Sequence, residues 1–282
     1  YIDPYIGHMA LQKIGPADIK ALESDWLSQG MSKQGVAYSH RILSACLKYG
    51  VRMEVIFRNP AEVVEPPRIE RKEIHPPSPS AVKEILEKSE SLKETLFPAL
   101  WLIAYTGLRR GECLGLEWNN IDLNGQKISI VQSLVRSAQK GLILQPPKTR
   151  LSRRVIDIDS DTVEVLNRHR LGQGESKLML GTSYVDRDLV FPNDLGEFLN
   201  PMALTRTLDR VCKRLGDSKI RLHDLRHFHA SILIQEGSSP VMISRRLGHS
   251  SPSMTLDTYG HLMPGWQREA AESFAGAMRR IS

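Results

Sequence analysis

Apolar residues recur along most of this chain at helical spacing. In "PADIKALESDWLSQG", Ile19, Leu22 and Trp26 fall three and four apart, and Gly30 supplies a stop. "SKQGVAYSHRILSACLKYGV" sets Val36, Ile42, Leu43, Cys46 and Leu47 on an apolar stripe. These stretches predict a small helical unit over residues 1–62. The periodicity then stops in "RNPAEVVEPPRIERKEIHPPSPS", where prolines and charges dominate. Proline blocks helix and little can be buried, so residues 63–77 read as an extended interdomain linker.

A second unit begins at residue 78. Ser78 can cap a helix that has Pro79 in its first position. "ETLFPALWLIAYTGLRRGECLGLEW" reads as an apolar helix, a break at Gly107 and a short helix. Three strand-like runs follow, "KISIVQSLV", "GLILQPPKT" and "RRVIDI". Helices resume in "SDTVEVLNRHRL", with Ser160 as cap, and in "NPMALTRTLDRVCKRLG", with Asn200 as cap and Leu204, Leu208, Val211 and Leu215 on one stripe. "HDLRHFHASILIQEG" and "SPVMISRRLG" both end on glycine. In the tail, residues 265–282, Trp266, Ala270, Phe274 and Met278 recur every fourth position. The fold class predicted is mainly α with a small antiparallel β-sheet (α+β). It comprises a helical first domain and a larger second one over 78–264.

Composition narrows the choice of partner. The 282 residues carry 41% hydrophobic and 25% charged side chains, enough for a packed core. The net charge of +6 suits a polyanion such as nucleic acid, though a basic protein without such a partner fits too. No apolar run approaches the roughly 20 residues a bilayer requires, so no membrane is expected. "YIDPYIGHMA" is not a signal peptide; it opens as though inside an element, so a preceding N-terminal piece is expected. Cys46, Cys113 and Cys212 are too scattered for a disulfide framework or a CxxC site. Each reads as a small core residue, compatible with a reducing cytoplasm.

Several stretches could carry chemistry. In "RLHDLRHFHASILI", His223 and Arg226 share a helix face, which His227 can join. An imidazole beside a guanidinium calls for an anion, and phosphate matches the guanidinium fork. In "TGLRRGE", Arg109 stands at the mouth of a helix with Glu112 three residues on, placed to brace it. "PPKTRLSRR" offers Lys148 at a strand end, near Arg150, Arg153 and Arg154. "RRLGHSS" puts His249 after a helix-ending glycine, and "MTLDTYGHL" contains Tyr259. Taken singly, each is as well explained by a solvated charge, a core histidine or a core tyrosine. No DxD, DEDD or HExxH pattern occurs, so neither metal nor cofactor is expected.

As a set, "TGLRRGE", "PPKT", "HDLRH" and "LGHSS…TLDTYGHL" resemble the tyrosine recombinases, the phage and mobile-element integrase branch in particular. The resemblance spans nearly the whole chain. It implies a core-binding domain followed by a catalytic domain. It also implies site-specific recombination through a covalent 3′-phosphotyrosine, without metal. Arg109 and Arg226 would clamp the scissile phosphate, Lys148 would protonate the leaving 5′ oxygen, and His223 would act as acid–base. His249 would bond the phosphate and Tyr259 would be the nucleophile, its phenolate favoured by the surrounding cations. Lys33, Arg41, Lys48 and Arg52 in the first unit, with Arg150 and Arg153 in the second, are candidate DNA-phosphate contacts.

The partners implied are double-stranded DNA attachment sites, further copies of the chain in a tetramer on DNA, and DNA-bending factors. The setting would be the bacterial nucleoid or a phage-infected cell. The tail helix would pack on a neighbouring protomer. Three other readings remain open at this point. One is a helix-turn-helix regulator with "SPVMISRRLG" as recognition helix, another a type IB topoisomerase-like enzyme, and the third a metal-dependent nuclease.

Overall fold

The computed structural model describes residues 1–69, 73–147, 152–216, 220–260 and 266–281, with part of the side chains of the last helix. The chain separates into two compact units, Tyr1–Lys72 and Glu73–Ser282. Among the described residues no helix is long and apolar enough to cross a membrane.

The first unit is helical. It contains α1 (Asp3–Ile6), α2 (Pro16–Ser28), α3 (Lys33–Arg52) and a 3₁₀ turn at Pro60–Val63. The caps are local: Asp18 accepts from the Gly15 amide at 2.8 Å, and Ser32 accepts from the Gly35 amide at 3.1 Å. Ile19, Leu22 and Trp26 of α2 pack with Val36, Leu43 and Leu47 of α3. Ile42 and Cys46, expected in that stripe, are exposed. The inward face of α3 runs instead through Val36, His40, Leu43 and Leu47, and a residue one position off is turned by about 100°. His40 is tolerated inside because Glu23 meets it, with Nδ1 and Oε1 2.5 Å apart and both side chains buried. Val64, within the segment read as linker, is buried in this core. Asn59 explains why the chain turns back there. It caps Ala61 at 3.0 Å and donates to the Ser44 carbonyl at 3.1 Å.

The second unit centres on α5 (Phe97–Thr106), whose Leu100, Leu102 and Ile103 are almost fully enclosed. Around it lie α4 (Pro79–Ser91), α6 (Arg110–Leu114), α7 (Ser160–Leu180), α8 (Pro201–Leu215) and α9 (Leu222–Gln235). The chain ends in α10 (Pro240–Leu247), α11 (Pro252–Tyr259) and α12 (Trp266–Ile281). Ser78 and Asn200 cap α4 and α8 as expected. The cap of α7 is Asp159, which accepts from the Thr162 amide at 2.9 Å, so Ser160 becomes the first helical residue.

Among the described residues, five short strands supply the small antiparallel β component expected, as one group of three and one of two. Strands β1 (Ile121–Asp122), β2 (Lys127–Ile130) and β5 (Arg154–Asp157) make one, in the order β1-β2-β5, with Ile128 opposite Ile156. Strands β3 (Ser133–Ser137) and β4 (Gly141–Gln145) make a hairpin, with Leu134 opposite Leu144. "KISIVQSLV" therefore divides between two sheets. Gln132 turns out of the ladder and donates to the Gly115 carbonyl at 3.1 Å. The hairpin then lies against α6, closely enough that a Cβ on Gly111 would stand 2.5 Å from Ser133 Oγ, and one on Gly115 2.8 Å from the Leu134 nitrogen.

Candidate active site

The site is built where three chain turns meet. Helix α5 ends at Gly107 in the left-handed conformation (φ +69), where a Cβ would stand 2.5 Å from Leu247 Cδ2. The chain then presents Arg109 at the start of α6. Glu112 completes that start, accepting from the Arg109 amide at 2.9 Å and from its Nη1 at 2.8 Å. The brace expected from "RRGE" is therefore formed. The outer nitrogen of Arg109, Nη2, donates to the Gly248 carbonyl at 2.9 Å.

Arg226 enters from α9 and is 2% exposed. Its Nη1 donates to the Gly107 carbonyl at 2.5 Å and its Nη2 to the Leu247 carbonyl at 2.8 Å. Nη1 of Arg109 approaches the same Leu247 oxygen at 3.4 Å. Two arginines remote in sequence thus converge on the C-terminal end of α10, whose partial negative charge favours cations. Burial, then the charge of Arg109, brings Arg226 down to about 9, which leaves it cationic at neutral pH.

Histidines flank this pair. His249 follows Gly248, which is also left-handed (φ +68). It is buried, with Nδ1 2.8 Å from Thr255 Oγ1. Burial first, then Arg226 and Arg109, lowers it to about 4. His223, one helical turn before Arg226, is exposed, with its ring edge-on to His227 at 4.5 Å. Burial of part of the ring, then Arg226, lowers its pKa. Both imidazoles are held towards the neutral form.

Tyr259 ends α11 and is 1% exposed, packed with Ala230, Ile234, Ile243 and Leu247. Its hydroxyl lies 2.6 Å from His227 Nδ1. Burial, then His223, lowers His227 to about 4, which holds its ring in the neutral form. Burial raises Tyr259 to about 12, and Arg226 only partly opposes this. The expected stabilisation of phenolate by the cations does not prevail in this conformation. The phenol is stored neutral.

Of the other residues singled out, Lys148 and Arg150 lie outside the described residues. Arg153 is exposed immediately before β5. Lys33, Arg41, Lys48 and Arg52 are all exposed on α3. Arg41, Lys48 and Arg52 fall within about 40° of one another around its axis.

Three further polar side chains hold the site together. Arg154, 6% exposed in its side chain, donates from Nη1 and Nη2 to the two Glu112 oxygens at 3.1 and 2.9 Å. Arg246 donates from Nε to His229 Nε2 at 3.0 Å and from Nη1 to the Asp157 carbonyl at 3.1 Å. His229 must therefore carry its proton on Nδ1, which faces the Ala104 carbonyl at 3.2 Å. Burial, then Arg246, lowers His229 to about 3. The signal for Arg154 was parity. In "RRVIDI", Arg154 and Ile156 share the inward side, and Arg153 and Val155 the outer one.

A cavity of about 1280 Å³ elsewhere in this unit, beside α7 and α8, is lined by none of the side chains that meet at α10. The site is a surface cradle. Among the described residues no three His, Cys, Asp or Glu side chains gather as metal ligands.

Comparison with known proteins gives this cradle a context. Residues 78–264 match the phage integrase family. A XerC-like tyrosine recombinase of Caldanaerobacter subterraneus subsp. tengcongensis is 31% identical over 284 residues, covering 94% of this chain and 72% of its own. The ICEBs1 integrase of Bacillus subtilis is 30% identical over 278 residues, covering 96% and 73%. Among solved structures, the Tn1549 transposon integrase in complex with transposon right end DNA superposes with a TM-score of 0.79 at 19% identity, over 93% of this chain and 86% of that one. At such identity the superposition establishes the fold, while the sequence matches establish kinship. The chain belongs to the phage integrase family and is a site-specific tyrosine recombinase of the kind that moves mobile elements.

Proposed function

We propose that the protein recombines double-stranded DNA at the attachment sites of a mobile element or prophage by metal-independent transesterification through Tyr259. The phenolic oxygen forms a bond to the scissile phosphorus and the bond to the 5′ oxygen breaks. Lys148 protonates that leaving oxygen. Arg109 and Arg226 neutralise the phosphate as charge builds in the transition state. His223 moves protons to and from the reacting oxygens, and His249 bonds the phosphate. The 3′-phosphotyrosine conserves the energy of the phosphodiester, so a 5′ hydroxyl rejoins the strand without a nucleotide cofactor.

The observation that carries this reading is the meeting of Arg109 and Arg226 at the Leu247 carbonyl, with His249 two residues on. A regulator has no use for that cradle. On this reading the phenol gives up its hydrogen bond to His227 when it attacks the phosphate held by the arginines.

The catalytic domain on this reading is 78–264 and the core-binding domain 1–62. Lys33, Arg41, Lys48, Arg52, Arg150 and Arg153 contact DNA phosphates, giving an affinity that falls steeply with salt. Four protomers assemble on paired sites, with bending factors shaping the DNA. The stripe of α12, whose Phe274 and Met278 are exposed, packs on a neighbouring protomer.

A nicked attachment-site duplex, from which the cleaved 5′ end diffuses away, tests the chemistry. It should trap a protein–DNA adduct in excess EDTA, with the linkage mapped to Tyr259. Tyr259→Phe should bind the duplex and yield no adduct. An adduct on another residue, or cleavage that EDTA stops, defeats the proposal. Strand exchange between two marked duplexes separates recombination from topoisomerase-like relaxation.

A further inference from the structure

We propose that Arg154 is a positioning residue for strand cleavage, aiming Arg109 by holding both of its anchors. This rests on the role assigned to Arg109 above. Arg109 itself is poorly enclosed, its side chain 40% exposed. What fixes its guanidinium is Glu112 on one side and the end of α10 on the other.

Arg154 reaches both anchors. Its two terminal nitrogens take the two Glu112 oxygens, and its Nε donates to the Arg246 carbonyl at 2.7 Å. It also donates to the Ser152 carbonyl at 3.2 Å, tying the start of β5 to the same cluster. Glu112 thereby accepts four bonds, two from each arginine, and both of its oxygens are shared. Burial would raise its carboxyl, but Arg154 and then Arg109 outweigh this and bring it to about 2. The space is equally constrained, since a Cβ on Gly248 would stand 2.7 Å from Arg154 Nη1. Without Arg154, Glu112 loses two of its four bonds and the end of α10 loses a tie, so Arg109 drifts. Lysine is no substitute, because one ammonium cannot span a carboxylate and a carbonyl in a planar fork.

The test compares Arg154→Lys and Arg154→Met with the unaltered protein on the nicked duplex. Adduct formation is timed at saturating DNA, with DNA affinity measured separately. Displacing a transition-state donor by about 1 Å is worth on the order of 10²-fold in rate. The expected result is that loss in the lysine variant, at least as much in the methionine variant, and affinity within about threefold of the original. Glu112→Gln should be slowed comparably, and the double variant Arg154→Lys, Glu112→Gln should be no slower than the slower single.

A lysine variant that cleaves within about threefold of the original rate overturns the inference. So does a loss that follows DNA affinity, or single losses that multiply in the double. If the methionine variant does not fold, the lysine variant decides, since it keeps the charge. Absence of any adduct on Tyr259 in the unaltered protein fells the catalytic reading and this inference together. A normal adduct there with an unaffected lysine variant fells only the role of Arg154.

Discussion

The two halves of the candidate active site are held in different ways. The arginine half is anchored to main-chain oxygens at the ends of α5 and α10 and to a carboxylate shared by two guanidiniums. Tyr259 is kept by apolar packing and by its hydrogen bond to His227, and its helix by Thr255 against His249. A charge-binding surface works best when it does not reorganise as charge develops. A nucleophile is safest when buried and protonated until it is required. On the proposed reading the contrast is that of a cradle anchored by many polar contacts and a reagent held by few.

That contrast can be broken most severely on the anchored side. Arg226→Lys replaces a fork that reaches Gly107 and Leu247 together with a single ammonium. Adduct formation should fall by about 10²–10³-fold, as for loss of one preorganised donor, measured in single-turnover cleavage. Gly107→Ala attacks the same half through its backbone, forcing a left-handed residue and a Cβ against Leu247 and His229. Denaturant unfolding should show a loss of about 1–3 kcal/mol. Gly237→Ala, also left-handed but with open space around its Cβ, should show only the backbone part of that loss, about 1–2 kcal/mol.

The lightly held side should respond in the opposite direction. His227→Phe keeps an aromatic ring and removes the nitrogen that meets the phenol, so Tyr259 is held less firmly. A typical hydrogen bond contributes about 1 kcal/mol, so adduct formation should rise about fivefold in the same assay. Slower cleavage would mean that His227 serves the reaction itself.

The gentlest probe is pH. His227, His229 and His249 are lowered to about 4, 3 and 4, against an ordinary value near 6.5. The unfolded chain therefore binds more protons than the folded one below about pH 6.5, and stability rises with pH through that window. It should be fully present above about 7 and lost progressively as pH falls to about 4. Glu112, lowered to about 2, adds a further loss below about pH 4. Urea midpoints between pH 7.5 and 4.5 should trace the first limb, and His229→Gln should flatten it.

Much of this arrangement was legible in the chain. Proline and glycine punctuated the helices at Pro79, Pro201, Gly107 and Gly248. The bond between Glu112 and Arg109 followed from spacing alone, because both sit on one turn. What could not be read depended on tertiary contacts. The hydrogen bond between His227 and Tyr259 joins two helices whose packing no local period encodes. Ile42 and Cys46 looked apolar and inward, yet the core chose His40, because Glu23 on another helix completes it. The division of "KISIVQSLV" between two sheets depends on glycines of α6 that admit the hairpin. Arg154 was visible only as one arginine among several, and strand parity alone set it apart.

Leu247 lends the cradle its oxygen through the main chain, and its side chain does a separate job in the small cluster around Tyr259. Exchange for another aliphatic residue leaves the acceptor untouched. Insertion or deletion of one residue in α10 would instead swing that oxygen by about 100°. The recombinase should therefore tolerate drift in what α10 is made of far better than any change in its length.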